Sequence, residues 1–170
     1  MKNKKEMAWW LKNKYAMEIC RINSSHRLSY FIEIRHKLKD IEYWTILGFL
    51  WSMAHWPSES LNDWIYLFSS NRPKRHKLMS LKEQKIFNEL PEKVKIYRGH
   101  DKDHLDGLSW SLDKNIAEFF AYRYVRRKSD CEFIVTEKTV PKEAIVCYLN
   151  DRKENEVIYI ENFKIIKARY

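Results

Sequence analysis

The sequence predicts an α+β fold in which a mainly helical first half precedes a half built of short strands around one helix. Three observations carry this. Apolar residues recur at helical spacing through much of residues 1–90. Beyond residue 91 the pattern changes to short alternating or β-branched runs. Hydrophobic residues make up 45% and aromatic residues 15% of the 170, enough for a sizeable core. The expected organisation is a helical, basic, aromatic-rich region over residues 1–90, packed on an α+β core over residues 91–170.

Within the first half, Met7, Trp10, Leu11, Tyr15 and Ile19 form a stripe that predicts a helix over residues 4–21. Residues 25–38 are ambiguous, because Tyr30, Phe31, Ile32 and Ile34 would also suit a strand. Residues 43–54 are apolar nearly all round, as in a buried helix. Pro57, followed by Ser58 to Ser60, opens a helix over residues 61–68, and Asn71-Arg72-Pro73 breaks the chain. Ser80 and Glu83 form a capping box for a helix that Pro91 ends. Six of the seven tryptophans lie in this half, at spacings that suit a packed core better than a stacking surface for single-stranded nucleic acid.

In the second half, Val94 to Tyr97 alternates like a strand and runs into Arg98-Gly99, and a polar loop follows over residues 100–106. Residues 108–111 are strand-like. Asp113 caps a helix over residues 114–126 with Ala117, Phe120, Ala121 and Tyr124 on its buried face. Residues 131–139, 145–149, 154–160 and 163–166 read as further strands. Asp101, Asp103 and His104 match no metal-ligand loop and read as a solvated turn. His100 lies close enough to Arg98 to enter a site there. Gly99 and Gly107, two of only three glycines, permit positive φ or close backbone approach, and taken alone they read as ordinary turns.

The formal charge of +9 is concentrated in the first half, which holds 16 Lys/Arg against 9 Asp/Glu, while the second holds 16 against 14. Such an excess suits nucleic acid or an acidic partner, or a solvated surface. Cys20, Cys131 and Cys147 are widely spaced and odd in number, which points to reduced, buried thiols in a cytoplasmic protein rather than a zinc site. The basic start is followed by a run that Lys12 and Lys14 interrupt, so neither a secretory leader nor a membrane span is expected.

Three short motifs occur in one order: Ile96-Tyr97-Arg98-Gly99 at a strand end, Gly107-Leu-Ser-Trp-Ser-Leu-Asp113 before a helix containing Ala117-Glu-Phe-Phe-Ala121, and Glu154-Asn-Glu-Val-Ile158 at a strand start. Together they resemble the Arg–Ser–Glu signature of the ADP-ribosyltransferases of the toxin and ecto-enzyme type. With Leu90-Pro91-Glu92 ahead of the first motif, the stretch is most similar to small phage and prophage members. The resemblance covers roughly residues 91–160. It implies an ADP-ribosyltransferase-like core with a split, mixed sheet, NAD as co-substrate, no metal, and a macromolecular target in the host cytoplasm. Because several phage anti-defence proteins, including anti-CRISPR effectors, use this fold, it also implies host manipulation.

The chemistry explains the residue types. Transfer from NAD breaks the bond between nicotinamide and the ribose anomeric carbon through an oxocarbenium-like transition state. A carboxylate against the ribose stabilises that charge. By resemblance this is Glu156, bonded to the ribose 2′-hydroxyl, with Ser109 orienting both and Ser111 in support. Arg98 would bind the pyrophosphate or the nearby ribose, and Gly99 would offer its backbone to the nicotinamide amide. Glu154 stands where a Glu accompanies transfer to arginine and helps deprotonate the guanidinium. Two features depart from the family: Trp110 replaces its usual Thr, and the loop before Glu154, which recognises protein targets in relatives, has only Asn150, Asp151, Arg152 and Lys153. Tyr97 and Phe120 read as core. The same residues would serve an NAD glycohydrolase, and the basic half would also suit an inactive binding module of this fold.

Overall fold

The computed structural model describes residues 9–10, 12–54, 60–102, 106–125, 134–161 and 163. It is α+β, and the chain forms two compact units, Met1–His55 with Arg72–Leu78 and Trp56–Asn71 with Met79–Tyr170.

The first unit is helical. Helices α1 (Lys14–Arg21), α2 (Arg27–Ile34) and α3 (Asp40–Met53) follow one another. The single helix expected over residues 4–21 is interrupted at Asn13, whose side-chain oxygen accepts from Ala16 N at 2.9 Å and caps α1. Asn13 Nδ2 also donates to Glu42 Oε1 of α3 at 2.7 Å. The ambiguous segment is helical: Asn23 Oδ1 receives Ser25 N and starts a turn, and the buried residues of α2, Phe31 and Ile34, are three apart rather than alternate. Helix α3 buries Tyr43, Trp44, Ile46, Leu47, Leu50 and Trp51 on several sides, as its apolar composition requires. Cys20 is exposed, contrary to expectation, because it follows Ile19 and so turns away from the buried Ala16/Ile19 stripe.

The second unit carries helices α4 (Leu61–Phe68), α5 (Leu81–Glu89) and α6 (Lys114–Val125) and strands β1 (Lys93–His100), β2 (Ser109–Ser111), β3 (Ile134–Pro141), β4 (Ile145–Leu149) and β5 (Glu156–Tyr159). The sheet order is β3-β1-β2-β5-β4. Every pairing among the described strands is antiparallel, where a mixed sheet was expected. The reason lies in α6, which carries the chain back along the sheet after β2, so that β3 enters opposite to β1. The two edge strands are joined by one 3-10 turn, Lys142–Ala144. Four residues from Pro141 to Ile145 reach at most about 14 Å, whereas a flat five-stranded sheet separates its edges by roughly 19 Å. The sheet is therefore strongly curled.

Helix α5 starts with the expected capping box: Ser80 Oγ receives Glu83 N, and Glu83 Oε2 receives Ser80 N at 2.8 Å. Its last carbonyls, Asn88 and Leu90, accept from Lys142 Nζ at 2.8 and 3.0 Å, where a cation also suits the helix dipole. Among the described residues no helix is long and apolar enough to cross a membrane. Of the strand expected at residues 163–166, Phe163 stands outside any strand and donates its N–H to Ile160 O at 3.2 Å, while residues 164–166 and Cys131 fall outside the described residues.

Candidate active site

Strand register brings the three motifs together. Ser109 pairs with Ile158 and Ser111 with Glu156, while Tyr97 pairs with Ser111, so Tyr97, Ser111 and Glu156 stand side by side across three strands. Directly opposed residues of antiparallel strands share a face, and so do residues two apart. Ser109, Ser111 and Glu156 therefore project on one face. Trp110 points to the other. It is buried, donates Nε1–H to Gly107 O at 3.0 Å and meets Tyr159 edge-on. Trp110 thus serves the core.

Ser109 Oγ donates to Glu156 Oε1 at 2.5 Å, and Ser109 O accepts from Arg98 Nη1 at 2.7 Å. One residue thereby ties the guanidinium to the buried carboxylate, which is only 4% exposed. Ser111 Oγ donates to Glu154 O at 2.8 Å and receives Asp113 N at 3.0 Å, holding the start of β5 against the entry to α6. Asp113 Oδ1 in turn receives Asn115 N, as expected of the cap.

An open cleft with a cavity volume of about 40 Å³ is lined by Tyr97, Arg98, Gly99, Ser109, Ser111, Phe120, Glu154 and Glu156, among others. All six proposed site residues line it. Tyr97 and Phe120 are half-buried and face the cleft rather than lying in the core, because Ala117 and Ala121 take the helix face that presses on the sheet.

The glycines are explained by close approach; neither has positive φ. A Cβ on Gly99 would sit 1.9 Å from Ala117 O and 2.5 Å from Ala121 N, so α6 lies directly on β1 there. A Cβ on Gly107 would sit 2.2 Å from Arg98 Nη2. Gly107 thus provides the bed for the Arg98 guanidinium.

His100 does not line the cleft. It is buried, with Nδ1 against Asp101 O at 2.7 Å and Nε2 against Thr136 Oγ1 at 2.8 Å. Asp101 is 1% exposed, not part of a solvated turn, since β1 continues to its neighbour His100. Asp103 and His104 lie outside the described residues. Among the described residues no group of three His, Cys, Asp or Glu could hold a metal ion.

Three features of the site escaped sequence reasoning. Arg152 Nη2 lies 3.0 Å from Glu154 Oε2 and 3.0 Å from Glu156 Oε2, bridging both carboxylates. The short loop is also braced internally. Asn155 N donates to Asn150 Oδ1 at 3.0 Å, and Asn155 Oδ1 accepts from Tyr148 Oη at 2.8 Å. This lets Lys153 and Asn155 adopt φ of 59° and 45°. Finally, the capping residue Glu83 plays a second part. Its Oε1 receives Asn150 N at 2.6 Å, anchoring the loop to α5. Glu83→Ala should remove the cap and this anchor together and cost about 3 kcal/mol. Glu83→Gln should lose less, as read from urea midpoints of the two variants.

Burial of the Glu154 carboxyl pushes its pKa above the ordinary value of 4.5, and Glu156 adds to this against the opposing pull of Arg152 and Arg123. A raised folded-state pKa means that the native chain holds this proton more tightly than the unfolded chain. The contribution to stability is full below the unfolded value and is lost as pH rises through the folded one. Glu154→Gln cannot ionise. Its stability relative to the parent should therefore improve as pH climbs from 4.5 toward neutral, measured by denaturation across that range. The reverse trend would mean that the Arg152 pairing outweighs burial.

Comparison with protein-family models, curated proteins and solved structures gives no match to this chain.

Proposed function

We propose that the second unit is an ADP-ribosyltransferase-like domain that transfers ADP-ribose from NAD to an arginine of a host protein, without a metal. The observation that carries this reading is the Ser109–Glu156 hydrogen bond inside a cleft also lined by Arg98, Glu154, Tyr97 and Phe120. A buried carboxylate locked by a serine is what an oxocarbenium-like transition state requires, because its negative charge is already oriented when positive charge develops. Tyr97 and Phe120 offer rings for the nicotinamide, and Arg98 sits where a phosphate or ribose oxygen could meet it. Glu154, whose pKa burial raises above the ordinary carboxyl value, is a stronger base than a free carboxylate and so suits the deprotonation of a guanidinium. In a phage-encoded chain this activity would act in the host cytoplasm, against a defence component.

The test is incubation of the purified protein with labelled NAD and a host lysate. A discrete labelled protein, with the label on arginine, is expected. Nicotinamide release without any labelled acceptor would instead make the protein an NAD glycohydrolase. Absence of any NAD turnover would leave only the binding-module reading.

The first unit favours a second role, contact with nucleic acid. Arg72 donates to the carbonyls of Leu38 and Arg35 at 2.9 and 3.0 Å, and Trp44 Nε1 donates to Pro73 O at 2.9 Å. These bonds set the basic run at residues 72–77 beside the one at residues 35–39, with Lys37, Lys39, Lys74 and Lys77 exposed. Reversing Lys37, Lys74 and Lys77 to Glu should weaken binding of a single-stranded oligonucleotide and flatten its salt dependence. Unchanged affinity would exclude this role.

A further inference from the structure

The loop before β5 places an arginine of this chain against the two carboxylates of the site. Arg152 Nη2 is 3.0 Å from Glu154 Oε2 and 3.0 Å from Glu156 Oε2. Arg152 is partly exposed, with 41% of its side chain accessible, whereas Glu156 is buried. Its backbone is held in place by the loop's own bonds, Asn155 N to Asn150 Oδ1 and Asn150 N to Glu83 Oε1. A structural ion pair would need only one carboxylate. Here a single nitrogen touches both the residue assigned to the ribose and the residue assigned to the acceptor.

We infer that Arg152 is an intramolecular acceptor, so that the protein ADP-ribosylates itself at this guanidinium. The inference rests on the NAD-dependent reading above. In the step, the bond between nicotinamide and the ribose anomeric carbon breaks, and nicotinamide leaves with the electron pair. A new bond forms from the anomeric carbon to an Arg152 terminal nitrogen, which gives up one proton to Glu154. NAD and the guanidinium thus yield nicotinamide, the ADP-ribosylated guanidinium and one proton. The upward shift of the Glu154 pKa, caused chiefly by burial, is in keeping with a proton resting there. Because the guanidinium is tethered beside both carboxylates, the acceptor need not be captured from solution, and a cis reaction gains the proximity advantage. The modification would also fill the acceptor position with a bulky, charged group and so close the site to an outside arginine.

The experiment uses the full chain with NAD alone, followed by peptide mapping by mass spectrometry, with agmatine as a free guanidino acceptor in a parallel arm. The expected result is one ADP-ribose on the peptide containing Arg152, at a rate constant independent of protein concentration. That label should be lost in Arg152→Lys, which keeps the positive charge without the guanidinium. Labelled agmatine with an unlabelled Arg152 peptide would overturn the inference and leave the transferase reading standing, as would nicotinamide release with no label on the protein. A rate constant that rises with protein concentration would overturn the intramolecular step. No nicotinamide release in either arm would overturn the inference and the NAD reading together.

Discussion

Glu156→Gln is expected to lower NAD-dependent labelling by about 10²–10³-fold while the protein stays folded. The substitution preserves shape. A glutamine oxygen can still accept the Ser109 hydroxyl that now bonds Oε1 at 2.5 Å. What disappears is the negative charge at a position only 4% exposed, where water cannot substitute for it. The Arg152 contact at 3.0 Å weakens as well, but Arg152 retains Glu154, and a pair with one partner so accessible contributes little to folding. Circular dichroism and thermal unfolding should therefore match the parent, while nicotinamide release and labelling fall together. A variant that keeps full activity would remove Glu156 from the chemistry. One that unfolds would show that the Ser109–Glu156 link is structural, and Ser109→Ala would then separate the two roles.

The second large effect concerns the glycines, which should fail in different ways. In Gly99→Ala the new methyl meets Ala117 O at 1.9 Å and Ala121 N at 2.5 Å. Both are backbone atoms of a helix, which cannot step aside without lifting α6 from the sheet. Overpacking of this kind costs about 3 kcal/mol or more, and the expected reading is a large drop in the denaturation midpoint. In Gly107→Ala the clash is with Arg98 Nη2 at 2.2 Å, the far end of a flexible side chain. The guanidinium can swing away, so stability should change little, but the bond from Nη1 to Ser109 O would be lost. Apparent affinity for NAD should then fall more than the turnover rate, seen as a raised KM with kcat less affected. Equal stability of the two variants would show that α6 does not press on β1 as described.

Local signals in the sequence were reliable where the chain's own short-range chemistry decides the outcome. The Ser80/Glu83 box, the break at Asn71-Arg72-Pro73, the helix over residues 61–68 and the strand over residues 145–149 all stand where side-chain spacing placed them. The segment around residues 25–38 was ambiguous because its apolar residues fit either period, and only the burial of Phe31 and Ile34 settles it. The mixed sheet expected by resemblance is absent among the described strands, since pairing direction depends on the path of α6 rather than on strand sequence. Tyr97 and Phe120 looked like core because aromatic residues usually are. They line the cleft because two alanines beside Phe120 occupy the contact with the sheet.

The α+β class and the concentration of basic charge in the first half are legible in the chain alone, and the candidate set Arg98, Gly99, Ser109, Ser111, Glu154 and Glu156 is what its resemblance to the Arg–Ser–Glu signature implies. The first two follow from periodicity and composition, and the third from the order of three motifs that resemble a known signature, all of them readable from neighbours along the chain. Only the tertiary structure decided that Gly99 and Gly107 answer to α6 and to Arg98, that Glu83 reaches across to Asn150, and that Arg152 bridges Glu154 and Glu156. The two glycine contacts and the Glu83 anchor join residues from separate elements. The Arg152 contact is local in sequence, yet it depends on the left-handed turn at Lys153 and Asn155 that folds the loop back over its own strand. No period or motif encodes such an approach, because it exists only once the curled sheet has brought the elements together.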